Sequence, residues 1–349
     1  MSSFFPSAPT RIVPGHGSKA AKIVLVGDYT TVQDDRALRP FVGPNGSVLE
    51  QCLHGAGLIT GEIYLTNIFK SRTVFPDYRR QNTDFFDENK RTFTDKGKEH
   101  RAILMAELDG LDPNIIVTMG VAPTLALSGI NKLHTYRGYV YPSIGLASKR
   151  KIIPTFSPGS TIRGNYVNRF VIQSDLRKAK QESSIPELVR PDRKLLYSFH
   201  SVEEILQWME VFYNAPEVSF DIEVINYEIS CVSFSLDPSM AVVVPIGASA
   251  LQSREWTELE ELQIWRAVQR VLGNPASKKI VQNGAAFDIP FMLMNIGIVV
   301  RGLIEDTMIA HHVMFPDLPK GLGFLGSIYC GSQEYWKDAV KWDNIKEES

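Results

Sequence analysis

Ser219-Phe220-Asp221-Ile222-Glu223, answered further on by Asn283-Gly284-Ala285-Ala286-Phe287-Asp288, is the stretch whose reading decides the fold. Side chains at i and i+2 of a strand share a face, so Asp221 and Glu223 present two carboxylates side by side with Ile222 opposite. Like charges held that close repel in a low-dielectric site, and a divalent cation is the usual remedy. Asp288 follows the strand-like Lys279-Ile280-Val281-Gln282 and opens a helix, where its carboxylate would join the same site. Oxygen donors of this kind suit Mg²⁺ or Mn²⁺. Taken singly, Asp221 and Glu223 also read as exposed strand-end acids, and Asp288 as a helix N-terminal acid favoured by the dipole. As a set, they suit two-metal phosphodiester hydrolysis, in which ions about 3.5–4 Å apart activate a water and stabilise the leaving oxygen.

The sequence around these acids is strand-rich. Lys194–Phe199 reads as a strand and Ser201–Tyr213 as a helix with a Ser201/Glu204 capping box. Glu217–Glu223, Tyr227–Leu236 and Met240–Ile246 read as strands of an antiparallel meander, the last two joined by Asp237-Pro238-Ser239. Helices are expected at Glu255–Leu272, Ala285–Ile296, Glu305–Phe315 and Gly321–Tyr329. A meander that begins on an acidic strand and leads into helices is a ribonuclease-H-like mixed sheet.

The first half has another rhythm. Apolar runs at Lys22–Gly27, Ile63–Asn67, Asn114–Gly120 and Lys151–Phe156 alternate with helix-like segments at Ser47–His54, Asp95–Leu108 and Ser160–Gln181. That alternation indicates an α/β domain on a parallel sheet, with its site on the loops at the carboxyl ends of the strands. A polar stretch broken by Pro186 and Pro191 separates the halves. The expected layout is a first domain over residues 1–181, a linker over 182–193 and a second domain over 194–349.

With 349 residues, two domains are the default. A composition of 44% hydrophobic and 22% charged residues is that of an ordinary globular protein. No apolar run is long enough to span a bilayer, and the N-terminus lacks the charged and apolar regions of a secretion signal, so no membrane association and a cytoplasmic location are expected. Cys52, Cys231 and Cys330 show no CxxC spacing, which argues against a zinc ribbon, an iron–sulfur cluster or a disulfide framework. A net charge of −2 gives no global signature of a nucleic-acid binder, so local patches must carry any such contact.

Three blocks in order, SFDIE, VQNGAAFDIPFML and IEDTMIAHHVMFPDLPKGLGFLGSIY, resemble the 3′–5′ proofreading exonuclease domain of family A DNA polymerases, particularly phage ones, over about residues 194–345. The resemblance implies Asp221 and Glu223 as first-motif metal ligands and Asp288 as the second-motif ligand. It also implies Mg²⁺ or Mn²⁺ as cofactor and Asn283 as a residue that positions the DNA end. Asp306 is expected to support the fold. The family's third motif is a tyrosine followed four residues later by an aspartate. Tyr335-Trp336-Lys337-Asp338 is one residue too close, and Asp343 has no tyrosine at that spacing. The domain is therefore expected to stop short of its third motif, without the polymerase domain, and to cut weakly or not at all.

The first strand leads through Gly27-Asp28-Tyr29 to Arg39-Pro40-Phe41-Val42-Gly43-Pro44-Asn45-Gly46: a carboxylate at a strand end, an aromatic ring and a glycine-bounded turn into a helix. A flipped base needs a ring to stack on and an amide to read its edge, which Phe41 and Asn67 would supply. Lys70, Arg72 and Ser160 are candidates for phosphate contacts. The plainer reading makes Phe41 a core residue, Asn67 a turn former and Asp28 a helix-side cap.

The blocks PFVGPNGSVLE, IYLTNIFKSR and IIPTFSPGS resemble the uracil-DNA glycosylase superfamily, closest to its family 4, across about residues 20–180. By that resemblance Phe41 stacks on uracil, Asn67 hydrogen-bonds it, and Asp28 stands for the glutamate that promotes water attack. The family's HPS histidine is Ser157 here, its first motif has become Tyr29-Thr30-Thr31, and the four cluster cysteines are gone. Loss of one preorganised donor to the leaving anion costs on the order of 3–4 kcal/mol of barrier. The expected protein is thus a phage-type DNA-processing chain acting on single-stranded DNA or a 3′ end in a bacterial host cytoplasm. The competing expectation is a non-catalytic DNA-binding accessory to a separately encoded DNA polymerase, or the N-terminal part of a split polymerase.

Overall fold

The computed structural model describes residues 11–72, 84–87, 89–246, 256–331 and 335. The chain divides into two compact units, Met1–Arg190 with Gly323–Ser349 and Pro191–Leu322.

The first unit contains β1 (Ile23–Tyr29), β2 (Ile63–Phe69), a small antiparallel pair β3 (Phe86–Asp87) and β4 (Thr92–Phe93), then β5 (Ile115–Met119), β6 (Tyr141–Pro142) and β7 (Lys151–Thr155). The main sheet runs β2-β1-β5-β7-β6 and is parallel except for the β6 edge. Every residue of β2, β5 and β7 is buried, as in a parallel sheet covered on both faces. The helices include Pro44–Gly55 and Asp95–Asp109, close to the expected bounds, and Val121–Ser128, which follows β5 and was not anticipated. The single helix expected over Ser160–Gln181 is two, Pro158–Ile162 and Asn168–Glu182, interrupted where Gly164 takes a φ of +106°.

The second unit contains β8 (Lys194–Leu196), β9 (Glu217–Ile225), β10 (Glu228–Asp237), β11 (Met240–Pro245), β12 (Lys278–Val281) and β13 (Ile304–Asp306), in the order β13-β12-β9-β10-β11-β8. The meander β9-β10-β11 is antiparallel, while β12, β13 and β8 join in parallel, which makes the sheet mixed. Asn226 and Tyr227, at φ of 51° and 66°, make the tight turn between β9 and β10. Alternation along β9 buries Val218, Phe220 and Ile222 in a core shared with Phe212, Phe234 and Val268, and turns Asp221 and Glu223 outward.

Ser201 caps Val202–Tyr213 by accepting from the Glu204 N–H, but the Glu204 carboxylate reaches one residue further back, to the His200 N–H at 3.1 Å. The helix expected at Glu305–Phe315 starts only at Thr307, because Ile304–Asp306 pairs with β12 as the edge strand. The helix expected at Ala285–Ile296 starts at Asp288 and passes into a π turn at Met292–Ile296. Its first three residues stay a loop because Asp306 takes the Asn283 and Ala285 N–H groups. Asp338 and Asp343, the two aspartates whose spacing does not fit the third motif, lie outside the described residues.

Candidate active sites

In the second unit, three expected metal ligands converge on the middle of β9. Asp288 is buried, and its Oδ1 accepts a hydrogen bond of 3.0 Å from the backbone N–H of Ile222, the residue between Asp221 and Glu223. Across the sheet, Asp221 lies opposite Ser233 and Glu223 opposite Cys231. Desolvation first, then the negative charges of Asp288 and Glu223, push the Asp221 carboxyl up to about 6, although its side chain keeps an open face. Burial also raises Asp288, assisted by the charge of Asp306 and opposed by the Ile222 N–H.

Asp306 sits behind this site as a brace. Its Oδ1 accepts from the N–H groups of Asn283 and Met308 at 3.0 and 2.9 Å, and its Oδ2 accepts from Ala285 at 3.1 Å. The loop it holds carries Asn283 at a φ of 61°, half-buried, and delivers Asp288 to β9. Gly284 lets that loop press on β12, since a Cβ there would lie 2.5 Å from Val281 Cβ. Among the described residues, no group of three or more His, Cys, Asp or Glu side chains stands in metal-ligating geometry. The donor types nonetheless suit a hard divalent ion, because Asp221, Glu223 and Asp288 offer carboxylate oxygens and the field at Asp221 and Asp288 disfavours their negative charge.

In the first unit, the expected base-site residues gather at the carboxyl end of β1. Gly27 is the space they share: a Cβ there would lie 2.4 Å from Asn67 Oδ1 and 2.6 Å from Phe41 Cζ. Gly120, just past β5, makes room for Asp28, whose Oδ2 would lie 1.9 Å from a Cβ at that position. The Asn67 amide donates to the Tyr29 carbonyl at 3.4 Å, which turns its Oδ1 toward Gly27. Phe41 adopts a φ of 56°, a left-handed conformation costly for an aromatic residue.

Asp34, almost fully buried, secures that conformation. It closes a capping box with Thr31 and accepts from the Val42 N–H at 2.7 Å, tying the loop after Asp28 to the loop bearing Phe41. Asp34 was missed as a site residue, yet its position three after Thr31 is the spacing of a capping pair.

The expected phosphate contacts separate. Lys70 is buried, with its ammonium on Thr66 and the Glu107 carboxylate, so it forms an internal ion pair rather than part of a rim. Ser160 donates to the Ser157 carbonyl at 2.7 Å and accepts from Asn168, which closes the turn below Ser157. Arg72 follows the end of β2 and is half-buried. Ser157 occupies the N-cap of Pro158–Ile162 without capping it through its side chain.

Residues 14–173 match the family model of the uracil DNA glycosylase superfamily, and residues 198–347 match that of a 3′–5′ exonuclease. The chain joins a domain of the first family to a domain of the second. Its relatives include the type-4 uracil-DNA glycosylase of Thermotoga maritima, 29% identical over 174 residues, 49% of this chain and 82% of that protein. The type-4 enzyme of Archaeoglobus fulgidus is 27% identical over 158 residues, 44% of this chain and 73% of its own. A DNA polymerase of Bacillus phage SP01 is 25% identical over 203 residues, 56% of this chain but only 20% of the polymerase. Among solved structures, Escherichia coli RNase D shares 13% identity with a TM-score of 0.29, covering 41% of this chain and 35% of its own, too distant to bear on function. No helix among the described residues is long and apolar enough to cross a membrane.

Replacing Asp34 by Ala removes a cap and leaves the Val42 N–H without its acceptor. The expected loss is about 1–3 kcal/mol in urea unfolding, largely restored by Asn. A carboxyl raised from 3.8 to about 6 holds its proton more tightly in the folded chain, so Asp221 favours the fold when protonated and loses that contribution as pH rises from about 4 through about 6. In chelator, Asp221→Asn is therefore expected to melt above the parent at pH 7.5 and level with it near pH 4. Mn²⁺ should raise the melting temperature of the parent and not that of the variant.

Proposed function

We propose that the chain processes DNA, its second unit engaging a 3′ end beside Asp221, Glu223 and Asp288 and its first unit holding an extruded base between Phe41 and Asn67. The observation that carries this reading is the hydrogen bond from Ile222 N–H to Asp288 Oδ1, which brings the second acidic motif onto the first. The three carboxylates would hold Mg²⁺ or Mn²⁺, which when bound supplies water activation and stabilisation of the leaving oxygen. Asp306 fixes the loop that presents Asn283 to the terminal nucleotide.

At the base pocket, Phe41 stacks on the base, Asn67 reads its edge through the amide beside Gly27, and Asp28 orients a water toward the sugar carbon. Ser157 offers only a neutral hydroxyl where the leaving base develops negative charge. Excision is therefore expected to be about a hundred- to a thousandfold slower than with a preorganised donor.

A second reading has its own observation. The lack of a three-ligand cluster among the described residues favours a DNA-binding accessory to a separately encoded polymerase, in which the acids no longer cut.

End-labelled single-stranded DNA incubated with the full chain separates the two. The catalytic reading predicts slow shortening from the 3′ end that needs Mg²⁺ or Mn²⁺ and disappears in Asp221→Ala and Asp288→Ala but persists in Asp28→Ala. Shortening that survives chelator, or survives Asp221→Ala, contradicts it. DNA binding with no shortening under any metal supports the accessory reading.

A further inference from the structure

The exonuclease family match runs to residue 347, yet the described residues from Gly323 to Gly331 pack as part of the first unit. The segment concerned is the helix Leu322–Tyr329, and its contacts are specific. The Tyr139 hydroxyl donates to the Gly323 carbonyl at 2.6 Å. The Lys178 ammonium donates to the carbonyls of Ser327 and Gly138, both at 2.7 Å. The ring of Phe324 covers the Arg137 guanidinium, 5.2 Å from its central carbon.

Two glycines allow this approach. A Cβ on Gly326 would lie 2.9 Å from the Tyr139 hydroxyl, and one on Gly138 would lie 3.0 Å from the Ser327 carbonyl oxygen. Side chains at either position would hold the helix off the surface.

Beneath the helix lies a charged network that water does not reach. Arg137 and Asp175 are 1% and 0% exposed and bond through Nη2 at 2.6 Å and Nε at 3.1 Å. Among the described residues Arg137 Nη1 has no hydrogen-bond partner, and the electron-rich face of Phe324 stands over the guanidinium. Asp175 also accepts from the Thr155 hydroxyl at 2.6 Å, and Thr155 ends β7 two residues before Ser157. Burial pushes the Lys178 ammonium down to about 8, and two carbonyls, one of them on the helix, satisfy it.

We propose that Gly323–Tyr329 is a docking element that completes the first unit. The surface made by Arg137, Gly138, Tyr139 and Lys178 is its receptor, and Asp175 and Thr155 relay its presence to the loop at Ser157. The partner this surface fits is a short helix with glycines at its contact face, an aromatic ring for the guanidinium and carbonyls placed to accept from Tyr139 and Lys178. The segment of this same chain supplies all three. The proposal is independent of either activity.

Amide hydrogen exchange on the full chain tests it with Tyr139→Phe, which removes one hydrogen bond and no volume, and Gly326→Val, which blocks the approach. Tyr139→Phe should speed exchange in Lys151–Thr155 and Asn168–Glu182 roughly two- to tenfold. Gly326→Val should do so by more, with Glu217–Ile225 unchanged in both. Unchanged exchange in β7 and Asn168–Glu182 in both variants overturns the proposal. Equal acceleration of Glu217–Ile225 overturns it too, since that would mark general unfolding.

Discussion

The hydrogen bond from the Ile222 N–H to Asp288 is the constraint on which the placement of the second unit's acidic residues rests. It requires β9 to alternate, so that Ile222 packs into the core while its neighbours face out, and it requires the chain after β12 to turn back at once. Asp306 enforces that turn by occupying N–H groups that would otherwise start a helix at Ala285. Two aspartates thus divide the work. One brings negative charge to the site, and the other spends its charge on backbone donors to hold the first in place.

The first unit solves a comparable problem with absence rather than charge. Phe41, Asn67 and Asp28 converge because Gly27 and Gly120 have no side chains, and Asp34 holds Phe41 in a conformation it would not choose alone. Strained backbone fixed by a buried carboxylate is preorganisation, since the conformation of Phe41 is set by the fold itself.

The parts of the fold legible in the sequence are those set by local pattern. The four apolar runs of the parallel sheet, the alternation along β9 and the meander after it follow from which faces must be buried. The approach of Asp288 to β9 follows from the same pattern, as strand parity and a short connection after β12 leave few other places for it. What escaped was set by distant contacts. Ile304–Asp306 is a strand because β12 offers an open edge, and Lys70 turns inward because Glu107 lies on a helix packed behind β2. The role of Asp34 was visible only as a capping spacing, and nothing local in Gly323–Tyr329 marks it as part of the first unit.

The central claim is that the three carboxylates form one cation site, and Mn²⁺ titration of the full chain followed by electron paramagnetic resonance tests it most directly. The account predicts saturable Mn²⁺ binding that weakens by at least about tenfold in Asp221→Asn and again in Asp288→Asn, with Asp28→Asn unchanged. Equal Mn²⁺ affinity in the parent, Asp221→Asn and Asp288→Asn would contradict it.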